Sequence, residues 1–223
     1  MKPERVLGDV YLIGGPEVTH PADCQVFVVD GGPLALVDAG AGESFESLAR
    51  NIREVGLDPQ NLKYALVTHA HIDHIGALAQ FQEKYGLEVV AGEGDAPAIE
   101  TGRGTGAEFY GLPYRPCPVV RRVRREETLG LGRHQLHIIP IPGHTPGSLA
   151  IYCDLGKRVL FGQDVHGPYV PAWGADPAQA ALSLKKLLAL KADILCEGHF
   201  GIIQPAAEVE TYIRGYLEAL GGG

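Results

Sequence analysis

Thr68-His69-Ala70-His71-Ile72-Asp73-His74 places three histidines and an aspartate within six residues, directly behind the apolar run Tyr64-Ala65-Leu66-Val67. Imidazoles and a carboxylate buried side by side need partners, because each unpaired polar group costs several kcal/mol in an apolar surrounding. A packed core is therefore a poor account of this stretch. Where a strand ends and a helix starts, four such side chains can fan out of one turn toward a common point. Imidazole nitrogen suits zinc, iron, copper and nickel, and a carboxylate adds a hard ligand and compensating charge. The segment reads as the seed of a metal site.

Three later segments repeat the device. Pro142-Gly-His144-Thr-Pro-Gly147 sets a histidine in a Pro/Gly-locked turn between two strand patterns. Leu160-Phe-Gly-Gln-Asp164 puts an aspartate just beyond an apolar strand, and Ile194-Leu-Cys-Glu-Gly-His199 ends in a histidine after a glycine. Four strand ends thus deliver His or Asp, which is how a site is assembled on one rim of a sheet scaffold.

The flanking sequence supplies the scaffold. Val10–Ile13, Gln25–Asp30 and Leu34–Asp38 are β-branched apolar runs, the last two joined by Gly31-Gly32, a hairpin signal. Phe45, Leu48, Ile52 and Val55 share one face of a helix over Ser44–Val55, broken by Asp58-Pro59. A second helix is expected over Ile75–Tyr85 and a strand over Leu87–Ala91. Residues 92–118, rich in Gly and Pro, read as one short helix and a long loop of the kind that forms binding lids. Strands are expected at Gln135–Ile141, Ser148–Cys153, Arg158–Phe161 and Asp193–Cys196, and helices from Asp176-Pro177 to Leu190 and over Pro205–Leu220. Gly221–Gly223 is expected to fray. Two mixed halves of this kind suggest sheets packed face to face with helices outside, although the order alone equally allows a doubly wound α/β fold.

At 223 residues, 45% hydrophobic and 21% charged, the chain suits one domain spanning 1–223. A net charge of −8 repels phosphate backbones, so no nucleic-acid partner is expected. The basic run Arg121, Arg122, Arg124 and Arg125 is followed at once by Glu126 and Glu127 and reads as a solvated strand edge or loop. The start lacks a basic-then-apolar leader, and no apolar run approaches the ~18–20 residues of a membrane span. Cys24, Cys117, Cys153 and Cys196 form no CxxC pair. Reduced thiols and a cytoplasmic location, with no membrane partner, are the expectation.

HxHxDH, a downstream His in HTPG, a Gly-x-Asp and a late Gly-His, in this order, resemble the metallo-β-lactamase superfamily from His69 to His199. The resemblance implies an α+β fold, a four-layer αββα sandwich. It implies one metal on His69, His71 and His144, a second on Asp73, His74 and His199, and Asp164 bridging the two. Two such ions, zinc by expectation with iron or manganese as alternatives, would share a water and lower its pKa toward neutrality. Asp73 and Asp164 would hold the second metal and orient that nucleophile.

The resemblance implies a hydrolase of a small ester, thioester or lactone. β-Lactam or phosphoester hydrolysis is an alternative. So is a persulfide dioxygenase-like oxidoreductase, with one iron on His69, His144 and Asp164. With only 24 residues after His199, neither the helical substrate domain that follows the last ligand in glyoxalase II enzymes nor the flavodoxin domain of flavodiiron proteins is expected, and a glutathione thioester is not the expected substrate. His166, two residues after Asp164, is a candidate hydrogen-bonding group for the oxyanion or leaving group. Phe109, Tyr110, Tyr169 and Trp173 are candidates for pocket walls, and Glu197 for a partner of a histidine N–H. His20, His134 and His137 are expected to be ordinary polar residues, and Cys196 to be buried and inert. Val209, Tyr212, Ile213 and Tyr216 on the last helix would cover either the core or a homodimer partner.

Overall fold

The computed structural model describes residues 1–221, so the tail expected to fray lies outside the described residues at 222 and 223. In chain order the elements begin with β1 (Glu4–Leu7), β2 (Val10–Gly14), β3 (Val26–Asp30), β4 (Leu34–Val37), α1 (Phe45–Glu54) and β5 (Leu62–Leu66). There follow α2 (Ile72–Ile75), α3 (Leu78–Tyr85), β6 (Glu88–Gly92), α4 (Ala96–Thr101), α5 (Ala107–Tyr110) and β7 (Arg121–Val123). The second half runs β8 (Glu127–Leu131), β9 (His134–Pro140), β10 (Leu149–Asp154), β11 (Arg158–Phe161), α6 (Pro177–Ala189), β12 (Ile194–Glu197), β13 (Gly201–Ile203) and α7 (Ala206–Ala219). β1 to β7 form one sheet in sequence order, and β13-β12-β11-β10-β9-β8 form the other.

The inner strands β2, β3, β4, β11 and β12 are apolar on nearly every residue because the sheets are buried on both faces there, and the period-2 alternation sorts side chains between two cores. Val26, Val28, Ala65 and Val67 meet Leu48, Ile52, Leu78 and Phe81 of α1 and α3 on one face of the first sheet. Phe27, Val29, Tyr64 and Leu66 point the other way and pack against Leu136, Ile138, Ile151 and Phe161 of the second sheet. Leu160 and Leu195 face outward again, against Leu184 and Leu187 of α6 and Val209 and Ile213 of α7. Three stacked cores make four layers, α-β-β-α. The apolar face of α7 thus covers this chain's own sheet, with Tyr212 and Tyr216 packed at its margin.

Parallel pairing occurs where the site lies. β4, β5 and β6 run parallel in the first sheet and β11 and β12 in the second, so their carboxyl ends gather on one rim of the sandwich. Helix α6 starts as its sequence implies. Asp176 accepts the N–H groups of Ala178 and Gln179 and Pro177 opens the first turn, a cap worth about 1 kcal/mol.

Local patterning misjudged several boundaries. The helix expected over Ile75–Tyr85 is two pieces, and the first turn begins inside the His/Asp segment at Ile72. The His74 carbonyl accepts the N–H of Ala39, which diverts it from continuing the helix. Gly76 sits against the same loop so tightly that a Cβ there would lie 2.1 Å from the Ala41 carbonyl carbon. The 92–118 stretch holds two short helices, α4 and α5, rather than one. Strands β1, β8 and β13 carry weak sequence signals because they are short and are held by pairing to a neighbour. The arginine run becomes the edge strand β7, with Arg121, Arg122 and Arg124 paired to Glu127, Glu100 and Glu93. Among the described residues no helix is long and apolar enough to cross a membrane.

Candidate metal centre

Seven side chains from five segments converge on this rim. His69, His71, Asp73 and His74 come from the end of β5 and from α2, and His144 from the β9–β10 turn. Asp164 follows β11, and His199 follows β12. His71 Nδ1 lies 3.0 Å from both His69 Nε2 and His144 Nε2. His199 Nε2 lies 3.2 Å and His74 Nε2 3.5 Å from Asp73 Oδ2. Asp164 stands between the two groups. Its Oδ2 is 3.6 Å from His69 Nε2 and 3.4 Å from His144 Nε2, while its Oδ1 is 3.4 Å from His74 Nε2 and 3.5 Å from His199 Nε2.

These separations test whether the residues fit the ions the sequence implies. Donors about 2.0–2.1 Å from a tetrahedral zinc ion stand roughly 3.3–3.4 Å apart, the edge of the tetrahedron. The donor separations above straddle that edge. Among the described residues buried His74 Nε2 and Asp164 Oδ1 have no hydrogen-bond partner, although an orphaned buried polar atom is costly. Buried polar atoms aimed at a shared point and left unpartnered are what a cation would satisfy, so the donor set fits. Cys24, Asp38 and His74 also lie close together, but His74 Nδ1 and Asp38 Oδ2 are hydrogen-bonded to each other at 2.7 Å. Burial also pushes the Cys24 thiol far up, and it is a poor ligand.

Three buried carboxylates tie the converging segments together. Asp38 accepts the Thr68 N–H (2.8 Å) and hydroxyl (2.6 Å), the His74 Nδ1–H (2.7 Å) and the Gln163 amide (2.6 Å). One carboxylate thereby links the segments of His69, His74 and Asp164, and it fixes the tautomer that leaves His74 Nε2 facing the centre. Asp95 accepts the Ala70 N–H, the Thr145 hydroxyl and the Gly147 N–H at 2.7–2.9 Å, joining the His69–His71 segment to the His144 turn. Glu197 accepts the His166 Nδ1–H and N–H on one oxygen, and the N–H groups of His199 and Phe200 on the other. Gly198, between Glu197 and His199, leaves room for the bridging acid: a Cβ there would sit 2.4 Å from Asp164 Oδ1.

Charge divides the centre. Burial drives His69 well below the ordinary histidine value, helped by the charge of His74. Burial and neighbouring His144 hold His71 at about 4. In the other half, burial opposes charge on His199, yet the adjacent carboxylates of Asp164 and Asp73 lift it to about 9. Burial likewise works against ionising Asp73 and Asp164, but nearby histidines, His74 first, keep both carboxyls below their usual range.

The remaining candidates sort by contact. His166 is bonded to Glu197, and its ring meets those of His199 and Phe200 edge-on. Tyr169 donates its hydroxyl to the Val165 carbonyl and sets its ring against His144. Phe109, Tyr110 and Trp173 are exposed rather than packed. His20 pairs with Glu43, His134 with Asp9, and His137 with Thr128, all away from the centre. Cys196 is fully buried. Sequence reading missed Asp38 and Asp95. The signal for Asp38 was present, since Leu34-Ala-Leu-Val-Asp38 repeats the apolar strand followed by an acid seen at Asp164. Asp95 follows β6 by three residues and carries no comparable pattern.

Comparison with known proteins agrees with this architecture. The model of the Metallo-beta-lactamase superfamily matches residues 21–199. The chain is 31% identical over 152 residues to the hydroxyacylglutathione hydrolase GloC of Haemophilus influenzae, a match covering 67% of this chain and 69% of that protein. It is 28% identical over 233 aligned positions to the probable metallo-hydrolase YflN of Bacillus subtilis, covering 86% and 80%. The subclass B3 metallo-β-lactamase BJP-1 of Bradyrhizobium japonicum superposes with a TM-score of 0.81 at 24% identity, over 99% of this chain and 92% of that one. At that identity the structural likeness speaks for the fold. A match over most of the length, a fourfold layering and a His/Asp rim place the chain in the metallo-β-lactamase superfamily of metal-dependent hydrolases.

Proposed function

We propose that the chain is a dinuclear hydrolase of a small ester, thioester or lactone. His69, His71 and His144 would hold one divalent ion and Asp73, His74 and His199 a second, with the Asp164 carboxylate placed between the two triads. The observation that carries this reading is the Asp164 carboxylate, whose two oxygens each face a different triad at 3.4–3.6 Å. Kinship with a hydroxyacylglutathione hydrolase and with a metallo-hydrolase supports the reaction class.

When bound there, zinc supplies Lewis acidity toward a carbonyl oxygen and ionises water near pH 7 (roughly, against 15.7 for bulk water). The chain's residues do the positioning. Asp73 and Asp164, kept ionised in spite of burial, balance cationic charge and accept hydrogen bonds from water. Asp38, Asp95 and Glu197 hold the donors in place, so little reorganisation is needed during reaction. Phe109, Tyr110 and Trp173 are exposed and would offer apolar surface to the non-reacting part of a small-molecule substrate. The four thiols are unpaired and buried, which supports a reducing compartment, and we assign the chain to the cytoplasm.

Elemental analysis of the purified protein, followed by a panel of esters, thioesters and lactones, tests the proposal. About two zinc ions per chain and turnover within the panel are expected. One iron per chain, with oxygen uptake on a persulfide and no hydrolysis, would overturn it.

A further inference from the structure

The Pro142-Gly143-His144 turn carries one member of the first triad, and helix α6 grips it from outside the sheet. The Ser183 hydroxyl donates to the Pro142 carbonyl at 2.7 Å. The N–H of Asp176, the residue that caps α6, donates to the Gly143 carbonyl at 2.7 Å. Both carbonyls just before His144 are therefore tied to one helix. A serine inside a helix can give its hydroxyl to its own backbone four residues earlier. Ser183 instead reaches a carbonyl 41 residues away in sequence, and it is buried there.

The turn and the helix meet backbone to backbone. A Cβ on Gly143 would lie 2.4 Å from Ala180 Cα and 2.5 Å from its nitrogen, and Gly143 stands at a φ of +145°, which residues with side chains rarely adopt. From this seat His144 Nε2 reaches His71 Nδ1 at 3.0 Å and Asp164 Oδ2 at 3.4 Å, while Nδ1 lies 3.2 Å from the Pro168 carbonyl oxygen. Among the described residues α6 makes no hydrogen bond to Asp73, His74 or His199. A cavity of about 20 Å³, lined by Ser183 and by His69, His144 and Asp164, separates the helix from the centre and leaves room for one more methyl group.

We propose that Ser183 is a positioning residue for the first metal, its hydroxyl setting, through the Pro142 carbonyl, the turn that aims His144. The inference rests on the dinuclear reading above.

Zinc affinity by chelator competition tests it in two backgrounds. Asp73→Ala with His199→Ala keeps only the first triad intact, and His69→Ala with His71→Ala keeps only the second. In the first background, Ser183→Ala and Ser183→Val should each weaken zinc binding about tenfold or more, the usual loss when a partner behind a metal ligand is removed. These variants differ in volume and share the missing hydroxyl, so agreement between them separates the hydrogen bond from packing. Ser183→Thr restores the hydroxyl and should restore the affinity. In the second background all three variants should bind zinc as their parent does. With every ligand present, the alanine and valine variants should loosen one of two zinc ions and spare the other. Equal weakening in both backgrounds, a loss with valine alone, a threonine variant as weak as alanine, or no loss anywhere overturns the inference alone. Wild-type protein that binds fewer than two ions overturns the dinuclear reading and this inference with it.

Discussion

The two halves of the centre share one bridging acid and differ in nearly everything else. His69, His71 and His144 form a triad of rings alone, and burial leaves His69 and His71 without protons at neutral pH, the latter down to about 4. Asp73, His74 and His199 include a carboxylate, and acids crowd their histidines. His199 rises to about 9. Burial works against charge on His74, yet Cys24, Asp164, Asp73 and Asp38 together hold it well above the ordinary value. One half offers free lone pairs to a cation, while the other holds protons that a cation must displace. Burial acts on both; the placement of carboxylates makes the difference.

The most severe way to break the contrast is to remove what the halves share. Asp164→Ala should empty both sites and lower kcat/KM by on the order of 10³-fold or more, since the metals' contribution is several kcal/mol. Metal stoichiometry with steady-state kinetics measures it, and one fully retained ion would show that the halves do not depend on a common bridge.

Removing a clamp should separate them. Asp38→Ala strips the partner from His74 Nδ1 and should weaken the second site about 10–100-fold, whereas Asp95→Ala should fall by a similar factor on the first. Chelator competition on each variant reads this. Equal losses at both sites in both variants would mean that the clamps stabilise the rim as a whole.

Proton competition sharpens the comparison further. His199 is protonated below about 9 and His74 is held well above its ordinary value, so affinity at the second site should rise about tenfold per pH unit per displaced proton from pH 6 toward 9. His71, neutral above about 4, predicts a first site nearly flat over the same range. In metal-free protein the same sign applies to folding: the His199 contribution is complete below about 6.5, its usual value, and is lost as pH rises through about 9. Calorimetric titration at four pH values tests the binding slopes; parallel slopes would contradict the charge division. The smallest effect is expected for His137→Ala, outside both halves, with less than about 0.5 kcal/mol in thermal unfolding and unchanged metal content.

Much of the fold and of the centre is legible in the residues alone. The apolar runs that form β3, β4, β11 and β12 stand out because both faces of each sheet are buried, which leaves a continuous apolar signature. The capped start of α6 stands out because Asp-Pro states both a side-chain acceptor and a fixed φ locally. The edge strands β1, β8 and β13 do not, since their stability comes from a neighbour rather than from their own residues. Asp95 does not, because its partners lie 25 to 52 residues away in sequence.

By itself, then, the sequence determined which residue types stand at the ends of apolar strands and in what order, because strand periodicity and turn chemistry are local. Only the tertiary structure decided which nitrogen of each histidine faces the centre, and which acid clamps which segment. It also decided that the oxygens of Asp164 divide between two triads. Those outcomes depend on parallel strands from two sheets ending on one rim, and so on contacts between residues far apart in the chain.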